Sequence, residues 1–282
     1  MKSKVLIARR KAANAVFVAF CWLATAIALA ALAAILYALV KNGIGGINLD
    51  VFSKDTPAAG SVGGLRNAIV GSILMCAIAM LISVVIGVLA GTWLAEYAGE
   101  SRYGKVVRFV NDVLLSAPSI LVGLAIYQMM VKPFHGFSGN AGAAALALLA
   151  APVITRTTED VLKLQPAALR EAGVALGSPL ASTIRRILWR AARTGILTGG
   201  LLAFARISGE TAPLLFTSLN NQFFSWNMAK PMANLPSVIF QFALSAYDDW
   251  RRLAWAGAAV IAFAVLAVNI IARTLARETR QS

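Results

Sequence analysis

Six stretches of this chain are each long and apolar enough to cross a lipid bilayer, which leaves it few folds to choose from. A window of about 19 residues places them near residues 15–40, 66–94, 107–131, 139–155, 195–218 and 254–272. Hydrocarbon offers no water to backbone N–H and C=O groups, so each crossing has to satisfy its own hydrogen bonds, and a run of about 20 apolar residues does so as a helix. The composition agrees, with 59% hydrophobic residues and 13% charged ones against about 25% charged in soluble domains. The expectation is an all-α integral membrane protein with six transmembrane helices. The opening MKSKVLIARRK has the basic character of a signal peptide. Its apolar run exceeds the usual ~7–15 residue signal core, so a retained first span is predicted.

Six crossings put both termini on one side. With the N-terminus inside, eighteen Lys and Arg residues fall on the cytoplasmic face and seven on the other, leaving Arg206 within a span. Cationic excess marks the cytoplasmic side, so both termini are predicted there, in a bacterial inner membrane. The formal charge of +14 is distributed as span-flanking cations, which suits anionic lipid and gives no case for nucleic acid.

Other chemistry is sparse. Cys21 and Cys76 both lie in apolar runs without metal-ligand spacing, as small hydrophobes do. The single histidine, His135, falls in the short outer loop KPFHGFSG and reads as a solvated loop residue. GESRYGKV places Gly99, Gly104 and Lys105 at phosphate-loop spacing, yet Val106 stands where Ser or Thr would hold magnesium, and the segment joins two apolar helices in place of a strand and a helix. No nucleotide site, metal or cofactor is expected. GVLAG (Gly87, Gly91) and GILTG (Gly195, Gly199) provide small-residue faces for close helix packing, within the chain or against a second subunit. Pro118 and Pro213 are predicted to kink or open their helices.

Two connections are long enough to have their own structure. The outer segment 219–253 mixes Phe, Trp and Pro with few charges, as an interfacial or partly re-entrant segment does. It suits surface anchoring and docking equally. The cytoplasmic segment, about 158–194, reads as a hairpin: a helix from about Pro166 to Leu176, a stop at Gly177, then a second helix capped by Ser178 with Pro179 at its first position. Leu180, Ile184, Ile187 and Leu188 recur at helical spacing among arginines, giving an amphipathic hairpin at the membrane surface.

EAGVALG followed nine residues later by ILWR resembles the EAA loop of ABC-importer permeases. Glu171, Ala172, Gly177 and Ile187 fit its pattern, whereas Gly173 stands for the second Ala and Trp189 and Arg190 for the final Leu and Pro. The resemblance implies that this hairpin carries a coupling helix for an ATPase subunit. APSILVGL, TRTTEDVLKLQPAALREAGVALGSP, GETAPLLFT and MANLPSVIFQFA together look like the PstA-type permeases of bacterial phosphate ABC importers, over roughly residues 65–272. What this implies is a type I (MetI-like) permease core at 65–272, after a cytoplasmic N-terminus at 1–14 and a first span with outer loop at 15–64, and before a cytoplasmic tail at 273–282. The implied partners are a PstC-like permease, two ATPase subunits and a soluble phosphate-binding protein, with inorganic phosphate as cargo and hydrolysis left to the ATPase.

The stretch LLAFARISGETAPLLF holds Arg206 and Glu210 inside an apolar run. An Arg at the centre of a membrane helix costs roughly 2.5–3.5 kcal/mol on insertion scales, so Arg206 is expected to face the bundle interior. Four residues apart, Arg206 and Glu210 are predicted to pair on one helix face. Ser208, Gly209, Thr211 and Pro213 loosen the same turn and turn donors toward a cavity. A guanidinium fork, two hydroxyls and free N–H groups suit an oxyanion. In this reading Glu210 orients Arg206 and keeps the site from holding its anion too tightly. The plain alternative is a structural pair locking two helices. Arg156, at the end of the fourth stretch, reads first as an interfacial, orienting cation. Three further functional alternatives stand beside phosphate import: a permease for sulfate, molybdate or tungstate; a secondary transporter or channel, against which the hairpin argues; and a membrane scaffold or sensor.

Overall fold

The computed structural model describes residues 2–278, and among these all regular structure is helical. Helix α1 (Lys2–Gly43) runs through a short 3₁₀ turn at Ile44–Gly46 to α2 (Leu49–Ser53), which Asn48 caps by accepting from the Val51 N–H. Then come α3 (Arg66–Glu96), α4 (Arg102–Ser116, capped by Ser101) and α5 (Ser119–Ile126), the last continued by a π turn at Tyr127–Val131. Ser138 caps α6 (Gly139–Lys163). The hairpin consists of α7 (Ala167–Ala175) and α8 (Leu180–Thr183), and a π turn at Ile184–Leu188 carries α8 into α9 (Trp189–Ser208). The chain ends with α10 (Ala212–Leu215), α11 (Leu235–Ala243, capped by Asn234) and α12 (Asp248–Glu278).

Four helical stretches are long and apolar enough to cross a membrane: Arg9–Gly46, Arg66–Glu96, Gly139–Lys163 and Asp248–Ala272. A fifth exists if the bent pair Arg102–Ser116 and Ser119–Val131 counts as one crossing. The remaining two of the six expected spans differ from their predicted form. The stretch 107–131 is two helices bent by 106°, because Ala117 and Pro118 both adopt extended backbone. Proline disfavours helical conformation in the residue before it. The stretch 195–218 is broken after Ser208, and α9, which enters it, carries Arg190, Arg193 and Arg206.

The centre of the molecule is α6. Its most apolar eighteen residues are 72% buried, against 0% for those of α1. Both small-residue motifs face α6 from opposite sides. A Cβ on Gly91 of α3 would lie 2.5 Å from the Thr155 carbonyl oxygen, and one on Gly199 of α9 would lie 2.1 Å from Thr157 Oγ1. The glycines therefore close the α3–α6–α9 layer within this chain. Met75, Ala79, Leu146, Leu149, Ile154, Ala203 and Ile207 fill the space between them. A second apolar cluster joins α11 to α3 and α12 through Leu65, Ala68, Val238, Phe242 and Ala256. The outer segment thus folds back onto the helical body, and the Leu235 N–H donates to Ser72 Oγ at 2.8 Å. Cys76 is buried on α3 and Cys21 exposed on α1, while His135 is exposed in its loop. Within the tail, Arg280 lies outside the described residues.

Candidate functional site

Arg206 is in the last turn of α9. The helix stops at Ser208 because Gly209 and Glu210 close tight i→i−3 bonds, with the Gly209 N–H on the Arg206 carbonyl and the Glu210 N–H on that of Ile207. Pro213, in the first turn of α10, prevents α9 from continuing. Gly123 of α5 lets Pro213 approach so closely that a Cβ there would lie 2.6 Å from Pro213 Cα, so α5 braces the restart from behind.

Arg206 and Glu210 do face each other, but across the helix end and not along one helix face. Arg206 Nε and Glu210 Oε1 are 3.9 Å apart, with side chains 36% and 16% exposed. That is an ion pair too long to be a hydrogen bond. The expectation that Arg206 points into the bundle of this chain is also corrected: its side chain lies on the outside of the helical body. The interior beside it is already packed by Ala203 and Ile207. Ser208 turns its hydroxyl back onto the Phe204 carbonyl at 2.7 Å, leaving its oxygen lone pairs as acceptors. The Thr211 and Ala212 N–H groups have no partner among the described residues. A guanidinium with uncommitted donors and two free backbone N–H groups thus lie within seven residues. The arrangement can receive an anion that approaches from outside this chain.

The hairpin is built more tightly. Helix α7 ends in a Schellman motif, with the Ser178 N–H on the Gly173 carbonyl at 3.0 Å and the Gly177 N–H on that of Val174 at 2.9 Å. Gly177 takes φ +72° to make the turn. Ser178 is consumed by this closure and does not cap the next helix, whose flanking residue is Pro179. The second arm is likewise no separate surface helix: α8 and its π turn form the base of α9, and Ile184 and Leu188 are buried against Leu162. The departures from the EAA pattern have local reasons. A Cβ on Gly173 would meet Thr183 Cγ2 at 2.5 Å, so only glycine lets the two arms touch. Trp189 donates from Nε1 to Thr92 Oγ1 at 3.0 Å, fixing the base of α9 to α3. Glu171, Ala172, Val174 and Leu176 stay exposed at the tip, Leu176 at 85%, and Ile187 is half-buried.

Two buried carboxylates that the sequence analysis did not single out anchor this end of the molecule. Glu96, at the end of α3, is 3% exposed and takes both arms of Arg170, at 2.9 and 2.6 Å. Arg170 also donates to the carbonyls of Leu162, in the last turn of α6, and of Gln165, just beyond it. Hydrogen bonding to Glu96 raises the pKa of Arg170 further above an already high value, so the group stays charged. Glu159 of α6, also 3% exposed, binds Arg108 at 2.7 Å and Lys163 at 2.6 Å. Arg108 in turn donates to the carbonyls of Leu94 and Gly99. By sequence, Arg108, Lys163 and Arg170 had counted only toward orientation. Arg108 and Arg170 pair with acids 51 and 74 residues away, which carries no periodic signal, whereas Lys163 and Glu159 stand at the i,i+4 spacing of a helix. Arg156 lies half-exposed between Asp160 at 3.2 Å and Asp112 at 3.7 Å.

A bent helix pair, a central α3–α6–α9 layer and an exposed hairpin knob now have counterparts among known proteins. Residues 83–281 match the family described as binding-protein-dependent transport system inner membrane component. The chain belongs to that family. It is 52% identical over 264 residues to a phosphate transport system permease protein PstA of Haemophilus influenzae, covering 94% of each chain. A probable phosphate transport system permease protein PstA of Methanocaldococcus jannaschii is 35% identical over 211 residues, covering 74% of this chain and 75% of that one. The inward-facing MetNI methionine ABC transporter superposes with a TM-score of 0.64 at 17% identity, over 75% of this chain and 94% of its own. That likeness concerns the fold alone. As a binding-protein-dependent permease, the chain is a multi-pass membrane transport subunit and not itself an enzyme. Importers of this kind also comprise an ATPase and a substrate-binding component.

Proposed function

We propose that this chain is the permease subunit of an ATP-driven phosphate importer, lining one side of the translocation pathway and coupled to its ATPase through the α7–α8 hairpin. The observation that carries the reading is near full-length relatedness, at 52% identity, to a phosphate transport permease. The site supports it. Arg206 presents its fork on the outside of the chain, where a second, PstC-like permease would close the pathway and an oxyanion would pass. Two phosphate oxygens suit a guanidinium fork, with the Thr211 and Ala212 N–H groups as further donors. Glu210, 3.9 Å from Arg206, offsets enough of its charge for the anion to leave. It can also accept a proton-bearing oxygen, which phosphate has near neutral pH and sulfate lacks.

The hairpin tip, with Glu171, Ala172, Gly173 and Gly177, docks the ATPase, and Ile187 belongs to the base that relays its motion. Both termini and the hairpin lie on the cytoplasmic side, as the cationic excess of the sequence indicates. A soluble phosphate-binding protein delivers cargo to the opposite face.

The decisive experiment is phosphate-dependent ATP hydrolysis and phosphate uptake by the reconstituted complex, comparing wild type with Gly177→Asp, which leaves the spans untouched. Both activities are expected to collapse while the variant still reaches the membrane. Hydrolysis and uptake indifferent to the hairpin would overturn the coupling role, and uptake inhibited by sulfate or molybdate as strongly as by phosphate would overturn the substrate.

A further inference from the structure

A cleft of about 510 Å³ opens between the hairpin-side end of α3 and the base of the hairpin, within the ~300–1,000 Å³ range of ligand sites. Leu89, Trp93 and Tyr97 of α3 form one wall, and Trp189, Ser182 and Arg185 the other. Its chemistry changes with depth. Leu89, 56% exposed, continues an exposed apolar stripe of α3 through Ile86 and Val85. Toward the end of α3 the wall becomes aromatic, as residues at a membrane–water interface do. Both indoles are held in place: Trp189 by its bond to Thr92, and Trp93 edge-on against Tyr103 at 5.4 Å.

The polar groups of the cleft are uncommitted. Arg185 has no ion pair or hydrogen bond among the described residues, nor does the hydroxyl of Ser182 or of Tyr97. Arg108, Arg156 and Arg170 nearby are paired, and of the exposed arginines Arg185, Arg186 and Arg190 only Arg185 lines the cleft. An apolar slot continuous with a lipid-facing stripe, closed at the interface by a free guanidinium and two free hydroxyls, has the polarity of a phospholipid: acyl chain along Leu89, phosphate at Arg185. We propose that this cleft is a binding site for an anionic glycerophospholipid, which braces the hairpin against α3. The site needs only that the chain sits in a membrane, and so stands independently of which anion is transported. The net charge of +14 favours an anionic headgroup over a zwitterionic one.

The test is native mass spectrometry of the assembled complex, purified from membranes containing phosphatidylethanolamine and phosphatidylglycerol, counting retained lipids. Wild type is expected to retain phosphatidylglycerol, and Arg185→Gln about fivefold less, the share of one interfacial cation, with phosphatidylethanolamine unchanged. Leu89→Trp, which fills the slot without touching a charge, is expected to lose the same lipid and serves if Arg185→Gln fails to assemble. Three results would each overturn the site: equal phosphatidylglycerol in wild type and both variants; displacement of the lipid by millimolar inorganic phosphate, which would make this a free-anion site; or lipid retained by the permease alone but expelled when the ATPase joins, which would make the cleft a protein interface.

Discussion

The molecule uses an arginine beside a carboxylate in two contrasting ways. At the hairpin end, Arg170 grips Glu96 with two bonds, at 2.9 and 2.6 Å, and donates further to two backbone carbonyls, with the acid 3% exposed. At the break after α9, Arg206 stands 3.9 Å from Glu210 with no other partner among the described residues and with 36% of its side chain exposed. The same two functional groups therefore make a joint in one place and a vacancy for a ligand in the other. What separates them is how many donors are used. A guanidinium that gives four bonds beside a buried acid holds helices together. One with spare donors on the surface of the chain still has to be satisfied, and an anion can do it.

Four substitutions probe that contrast. Arg170→Ala leaves Glu96 buried without a counter-charge, and thermal unfolding in detergent should register a loss of about 3–5 kcal/mol; a change below about 1 kcal/mol would erase the distinction between the two sites. Arg206→Gln is expected to leave that unfolding curve in place, because long, partly exposed pairs contribute only ~0–1 kcal/mol. Phosphate uptake by the same variant should fall at least about tenfold, or roughly 1.4 kcal/mol of transition-state stabilisation. Normal uptake together with a large stability loss would turn the open site into a second joint.

Glu210→Gln removes the opposing charge, so apparent KM and turnover should drop together, each about two- to fivefold, the scale of a pair worth ~0.5–1 kcal/mol. A rise in KM would show instead that Glu210 binds substrate directly. The smallest effect is expected from Lys163→Ala. Glu159 keeps Arg108 when its half-exposed second cation is removed, so stability should change by less than about 1 kcal/mol.

Sequence reading located the parts that local rules govern. Apolar run length identified α3, α6 and α12; glycine in a left-handed turn identified the end of α7; proline marked both breaks. The hairpin itself was legible from its Gly177 turn before any contact was visible. What escaped was set by tertiary neighbours. Glycines 87, 91, 195 and 199 announced close packing, but not that all four close on one helix. The outward position of Arg206 was missed because a charge at membrane depth was assumed to be buried within its own chain. A permease that shares its pathway with a second subunit can leave that charge on its surface. Lys163 stands one helical turn from Glu159, but the pairs Glu96–Arg170 and Glu159–Arg108 were invisible because their members lie 74 and 51 residues apart. Only the fold brings them near.

That sequence separation has a consequence for synthesis. Glu96 leaves the ribosome 74 residues before Arg170, an interval of about 4–15 s at ~5–20 residues per second. Through that time α3 has an unpaired acid at its end. The joint between α3 and the hairpin therefore cannot close until the hairpin has been made. The segment that we propose couples this permease to its ATPase is thus also the one that completes this end of the fold.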